Sequence, residues 1–96
     1  MPSFSNPKTK YAVVDLATDS TTVVNGSARL YGVYVNTVLS GQACPIEDNT
    51  TAVITLPASL AAGSLLEFPG INFETSLVVD PDNSATGNIT IMYEEA

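Results

Sequence analysis

Few side chains in this sequence can do chemistry, and their types exclude most catalytic arrangements. The 96 residues contain no histidine and a single cysteine, Cys44. A Ser-His-Asp or Cys-His arrangement therefore cannot form, and zinc sites built from imidazoles or several thiolates are excluded too. The sequence has no glycine-rich phosphate loop and no dinucleotide-binding fingerprint. Carboxylate chemistry remains, supplied by ten Asp and Glu residues.

Glu67 and Glu74 are the carboxylates that a local turn would bring together. They flank Pro69-Gly70, a strong turn signal, and glycoside hydrolysis uses two carboxyl groups facing each other across a cleft. A domain of this length has a thin core with little room for a cleft. We therefore interpret the pair as surface charges and predict that the protein is not an enzyme. A small carboxylate enzyme is kept as the weakest of three functional hypotheses.

Two other features are interpreted as structural. Asp80-Pro81-Asp82-Asn83 offers oxygen atoms that calcium prefers, but it lacks the spacing of an EF-hand loop and is typical of a turn. We expect no metal site and no cofactor, and whether this loop binds calcium is left open. Cys44 is interpreted as a small buried apolar residue.

The charge balance bears on possible partners. The formal net charge is −7, and the three cations are Lys8, Lys10 and Arg29. Proteins bind nucleic acid and anionic membranes largely through Lys and Arg, so neither partner is expected. The N-terminus has no apolar segment of the kind found in signal peptides. We therefore expect synthesis in a cytoplasm.

The elements that must position these residues are predicted to be β-strands. Val, Ile and Thr suit pleated, half-buried strands, and turn signals recur every 8–12 residues. Asn25-Gly26 predicts a two-residue hairpin. Gly32 indicates a bulge or a close backbone crossing, and Pro45 indicates an edge strand or a bulge. Residues 57–63 fit one helical turn. The predicted strands are 11–16, 21–24, 28–39, 42–46, 51–56, 64–68, 75–80 and 88–94.

These elements predict a single all-β domain. About eight short strands with this turn spacing are typical of a small antiparallel β-sandwich or barrel, jelly-roll-like in architecture. Residues 1–10 are polar and contain two prolines, so we predict an extended N-terminal arm followed by one β-sandwich domain over residues 11–96.

Four aromatic residues are the candidate contact residues: Phe4, Tyr11, Tyr31 and Tyr34. Phe4 lies in the predicted arm, where it would reach a neighbouring subunit. Tyrosine is favoured at interfaces because its ring is apolar and its hydroxyl is polar. Strict alternation places Tyr31 and Tyr34 on opposite faces of one strand, so at least one is expected to point outward.

Several segments together carry a family resemblance. They are 30–37 (LYGVYVNT), 55–58 (TLPA) with the small residues through Gly63, 68–73 (FPGINF), 75–79 (TSLVV) and 85–94 (ATGNITIMYE). These segments resemble segments of small β-rich virion proteins of tailed phages, the capsid decoration or cement proteins.

The resemblance implies a role, a location and partners. The role is that of a viral structural protein that binds the outer surface of a tailed-phage capsid and decorates or cements it. Its partners would be the major capsid protein and copies of itself, with which it would form a homo-oligomer such as a trimer. Its location would be the virion. The resemblance carries no defined site residues to positions of this chain. The alternative hypothesis is a tail-fibre or adhesin-type domain that recognises a host glycan or receptor; the absence of Trp weighs against sugar stacking.

Overall fold

Residues 9–95 are described by a computed structural model, and within them the chain forms eight β-strands and no helix. The strands are β1 (Thr9–Asp15), β2 (Thr21–Val24), β3 (Ala28–Thr37), β4 (Cys44–Asp48), β5 (Thr51–Leu56), β6 (Leu65–Phe73), β7 (Leu77–Val79) and β8 (Asn88–Glu95). Thr9 and Lys10, which the sequence assigned to the arm, lie in β1. The rest of the predicted arm, with Phe4, lies outside the described residues.

The strands form two four-stranded sheets. Sheet 1 has the order β1-β8-β3-β6 and sheet 2 has the order β2-β7-β4-β5. Every pairing is antiparallel. This confirms the all-β prediction and decides for a sandwich over a barrel. Eight antiparallel strands distributed in this order make the double-sheet arrangement called a jelly roll.

The core lies between the two sheets and follows the period-2 pattern of the strands. In β8, Ile89, Ile91 and Tyr93 alternate with outward-facing residues, point inward and are buried. In β3, Val33 and Val35 do the same. The largest buried side chains of sheet 2 come from three of its strands. They are Ile46, Leu56, Leu77 and Val79. The inward faces therefore supply a continuous apolar layer, and the outward faces are left to solvent or partners.

The predicted hairpin at Asn25-Gly26 is wrong. β2 belongs to sheet 2 and β3 to sheet 1, so residues 25–27 carry the chain from one sheet to the other. A type I′ hairpin turn also needs a positive φ at both central residues, and Asn25 does not have one. Among the eight strands of residues 9–95, β4 and β5 are the only consecutive strands that pair with each other.

The predicted turn at Pro69-Gly70 is also wrong, because β6 runs without a break from Leu65 to Phe73. Leu30 pairs with Ile71 and Gly32 pairs with Glu67, so residues 68–70 bulge out opposite Tyr31. β6 is an edge strand of sheet 1, where a proline is tolerated because its missing N–H faces no partner strand.

The predicted helical turn before Gly63 is absent from the described structure. Ser59 has a φ of 62° and Gly63 a φ of 89°, and such left-handed residues interrupt a helix. Backbone groups of this segment bond instead to the end of β3. The Leu39 N–H donates to the Leu60 carbonyl at 2.9 Å, and the Gly63 N–H donates to the Val35 carbonyl at 2.7 Å.

Pro45 lies in an interior strand and not at an edge, because β4 pairs with β5 on one side and β7 on the other. It is tolerated because the β4–β7 pairing covers only Ile46 and Glu47. The predicted bulge occurs beside it, between Ile46 and Glu47. The predicted strand at 75–80 is shorter in the structure, where β7 covers only Leu77–Val79.

Candidate functional site

The carboxylates Glu67 and Glu74 do not face each other around a turn. Glu67 lies within β6, and Glu74 follows the last residue of the same strand. Both side chains are exposed, and residues 9–95 contain no pocket. The arrangement that glycoside hydrolysis requires, two carboxyl groups lining a cleft, is therefore not built by this pair.

Asp48 has a structural role in the part of the chain described. Its carboxylate accepts hydrogen bonds from the backbone N–H groups of Glu74, Thr75 and Ser76, at 2.9, 2.8 and 3.2 Å. These bonds favour the charged form and lower the pKa of Asp48 below its ordinary value. The carboxylate thereby ties the end of β4 to the connection between β6 and β7.

Glu47 and Asp80 form a second carboxylate contact on sheet 2. Partial burial raises the pKa of Glu47, and the nearby Asp80 carboxyl raises it further through charge repulsion and a hydrogen bond. Two carboxylates alone are a poor metal site. Residues 9–95 contain no group of three or more metal-ligating side chains.

The Asp80-Pro81-Asp82-Asn83 loop is organised by its own hydrogen bonds. The Asp82 carboxylate accepts from the Ser84 N–H at 2.9 Å and from the Ser84 hydroxyl at 2.8 Å. These bonds lower the pKa of Asp82. This is the self-capped turn typical of Asp and Asn in loops.

Cys44 is buried, as the sequence predicts. Its desolvation raises the pKa of the thiol to about 11, and the charge of Asp80 adds to the effect. Because the thiolate is the reactive form of cysteine, Cys44 is a core residue and not a nucleophile.

The three candidate tyrosines, Tyr11, Tyr31 and Tyr34, lie on one surface, the outer face of sheet 1, whereas Tyr93 is buried in the core. Tyr31 and Tyr34 share this face although strict alternation separates them. The register of β3 shifts between Leu30 and Gly32 against both neighbouring strands, and the extra residue of a bulge reverses the alternation beyond it. Tyr11 reaches the same face from β1, opposite Met92 of β8.

The bulge also explains Gly32. A Cβ at this position would lie 2.9 Å from the Met92 Cε and 3.2 Å from the Leu66 carbonyl oxygen. The predicted close approach at Gly32 is thus confirmed. On the same face, Tyr31 is half-buried and donates its hydroxyl hydrogen to Glu94 Oε1 at 3.1 Å.

We call the outer face of sheet 1, with Tyr11, Val13, Tyr31, Tyr34 and Leu65, the tyrosine face. Four of its side chains are large, apolar and exposed: Tyr11 at 73%, Val13 at 59%, Tyr34 at 40% and Leu65 at 51%. Val13 pairs with Thr90, Thr90 pairs with Tyr34, and Tyr34 pairs with Leu65. Three of the exposed side chains therefore fall in one row across the sheet. Contiguous exposed apolar surface on a soluble domain marks a site of interaction.

The tyrosines of this face were predicted from the sequence as contact residues, whereas Val13 and Leu65 were not. The signal for Val13 was present. Val13 and Val14 are adjacent in a strand, so one of them must point outward. Leu65 carried no such signal, because its place beside Tyr34 depends on the register between β3 and β6.

The described residues contain no helix long and apolar enough to cross a membrane. No protein-family model, no curated protein sequence and no solved structure matches this chain.

Proposed function

We propose that this protein is a structural component of a tailed-phage virion. In this proposal it binds the outer surface of the capsid and decorates or cements it, through contacts with the major capsid protein and with its own copies. The observation that carries the proposal is the tyrosine face. A domain that exposes a row of apolar side chains on a sheet, and has no pocket in its described part, is suited to surface contact with protein.

Three further observations support the proposal: the fold, the sequence resemblance and the net charge. Double-sheet jelly rolls recur in viral capsid proteins, although they also occur in lectins and cupins, so the fold alone does not decide between functions. The resemblance of several sequence segments to small virion proteins favours a virion protein over a lectin or a cupin. A net charge of −7 agrees with a location outside the nucleic acid, since an acidic surface repels phosphate backbones.

Quantitative mass spectrometry of particles purified from the source culture tests the proposal. The quantity to measure is the number of copies of this chain per copy of the most abundant shell protein. A ratio near that of a component repeated over the whole shell is expected. A few copies per particle would move the chain to the tail or portal, and absence from the particles would contradict the proposal.

A tail-fibre or adhesin-type domain that recognises a host glycan or receptor is the second candidate. Tyr11 and Tyr34 favour it to the extent that they are exposed aromatic rings, and the jelly roll is also a lectin fold. Ligand pockets are normally concave, and none is present in residues 9–95. Saturable binding of the purified protein to host cells, lost in Tyr11→Ser and Tyr34→Ser, would favour this candidate over a capsid contact.

A further inference from the structure

One end of the tyrosine face carries two opposite charges. At one end of the face, Glu94 of β8 pairs in register with Arg29 of β3, and both side chains point outward. Within residues 9–95 the Arg29 guanidinium makes no ion pair and no side-chain hydrogen bond, whereas Lys10 pairs with Glu95 at 3.0 Å. Arg29 thus has no ion-pair partner among residues 9–95, and it borders exposed apolar surface.

We propose that the tyrosine face binds the same face of a second copy, related by a two-fold axis that runs along the strands between β8 and β3. Such an axis exchanges the two central strands, so that β8 of one copy lies over β3 of the other. Interfaces with two-fold symmetry must be self-complementary. Sheets that stack face to face in this way align to within about 30°.

The rows of the face are self-complementary about this axis. Arg29 of each copy lies over Glu94 of the other, which makes two equivalent ion pairs. In the apolar row, Thr90 lies over Tyr34 of the second copy, and Val13 lies towards Leu65 of the second copy. Val13 thereby meets an apolar partner and Arg29 meets a carboxylate, while the row of Tyr11, Met92, Gly32 and Glu67 places Tyr11 towards Glu67 of the second copy.

Glu94 is already held for this contact. The Tyr31 hydroxyl bonds to one of its carboxylate oxygens, which fixes the side chain on the face and leaves the other oxygen for Arg29 of the second copy. The pairing thus gives the half-buried Tyr31 a positioning role and the exposed Tyr34 a contact role.

The face is small for an interface between proteins. Four strands at about 4.8 Å spacing and about 25 Å of strand length give roughly 500 Å² per copy. The total of about 1,000 Å² is at the low end for specific interfaces, the range in which weak and transient contacts fall. Many copies held close together on a shell would strengthen such a contact.

This inference rests on the proposed function in one respect, which is that the protein acts by contact. It deepens the proposal by naming a second copy as the occupant of the tyrosine face. The tyrosine face then makes the contact between copies that the proposed function includes. It also specifies a two-fold pair in place of the trimer considered from the sequence.

Sedimentation velocity over about 1 to 500 μM protein tests the pairing. The wild-type chain is expected to form dimers in this range. Arg29→Glu places like charges opposite each other twice per dimer and is expected to raise the dissociation constant about tenfold or more. The exchange Arg29→Glu with Glu94→Arg restores opposite charges and is expected to restore dimerisation.

Lys10→Glu is the matched control, because it changes the net charge equally but lies off the tyrosine face. It is expected to leave the dimer intact, and circular dichroism checks that each variant is folded. A monomer at all concentrations, a trimer, or a dimer that the Arg29 variant does not weaken would overturn the pairing. These outcomes are separate from the proposed function, because copies per particle are counted independently of how the free protein associates.

Discussion

At the scale of single residues, two glycines of sheet 1 mark points where a neighbouring side chain or backbone lies too close for a Cβ. Gly32 makes room for Met92, and Gly70, with a φ of 106°, lies against the Tyr31 ring. The sequence predicted the first of these and read the second as a turn. Proline and glycine together are common in turns and in bulges alike, and only the neighbouring strand decides between them.

Gly87 offers a direct test of this role. It has a φ of 123°, and a Cβ there would lie 2.7 Å from Leu39 Cδ2 and 3.0 Å from the Val38 carbonyl oxygen. Gly87→Ala is expected to lower the free energy of unfolding by about 1–3 kcal/mol, because it adds backbone strain and a clash with backbone.

Gly41→Ala is the control for this prediction. A Cβ at Gly41 has no heavy atom within 4 Å, so its effect on stability should be small. Urea unfolding of the two variants and the wild type measures the difference. Equal stabilities for the two variants would contradict the account of Gly87.

At the scale of elements, the sequence located strands well and connections poorly. The alternation of apolar and polar residues in β8 and the β-branched residues of β5 were sufficient to predict these two strands, because both patterns are local in the sequence. Asn25-Gly26 failed as a hairpin signal because β2 and β3 enter different sheets. Which strands pair is set by contacts between residues far apart in sequence, and no local pattern records them.

The connection between β6 and β7 depends on a single side chain, Asp48. Its contribution to stability is expected to depend on pH. Its pKa is lowered in the folded protein. Its contribution to stability is therefore present above the unfolded-state pKa and is lost as the pH falls through the folded-state pKa. Asp48→Ala should be less stable than the wild type at neutral pH, and the difference should shrink as the pH is lowered through the acidic range.

The matched control is Asp19→Ala, which removes an exposed carboxylate that makes no hydrogen bond within residues 9–95. Thermal unfolding at a series of pH values measures both variants against the wild type. A stability loss for Asp48→Ala that stays constant with pH would show that the three N–H bonds do not favour its charged form.

At the scale of the whole molecule, the four edge strands are protected against pairing with other chains. β6 carries the bulge with Pro69, β5 has a register shift at Val53, β2 has only four residues, and β1 carries Lys10 and Asp15. Charges, bulges and short length are the devices by which natural sheets block edge pairing. Association through a face is therefore favoured over association through an edge.

Composition alone was sufficient to predict the all-β class, since the content of Val, Ile and Thr is a property of the whole chain. The tyrosine face was predicted in part, because its tyrosines are visible in the sequence. Its extent was not, because the bulge at Tyr31 and Gly32 brings Tyr31 and Tyr34 together, and the register with β6 adds Leu65.

We propose that this domain is a component of a virion shell. Cryo-electron microscopy of purified particles, with icosahedral reconstruction, tests it most directly. Density that fits a sandwich of about 40 × 28 × 17 Å is expected on the outer surface of the shell, at symmetry-repeated positions. A shell with no such density, or the domain found only on the tail, would contradict it.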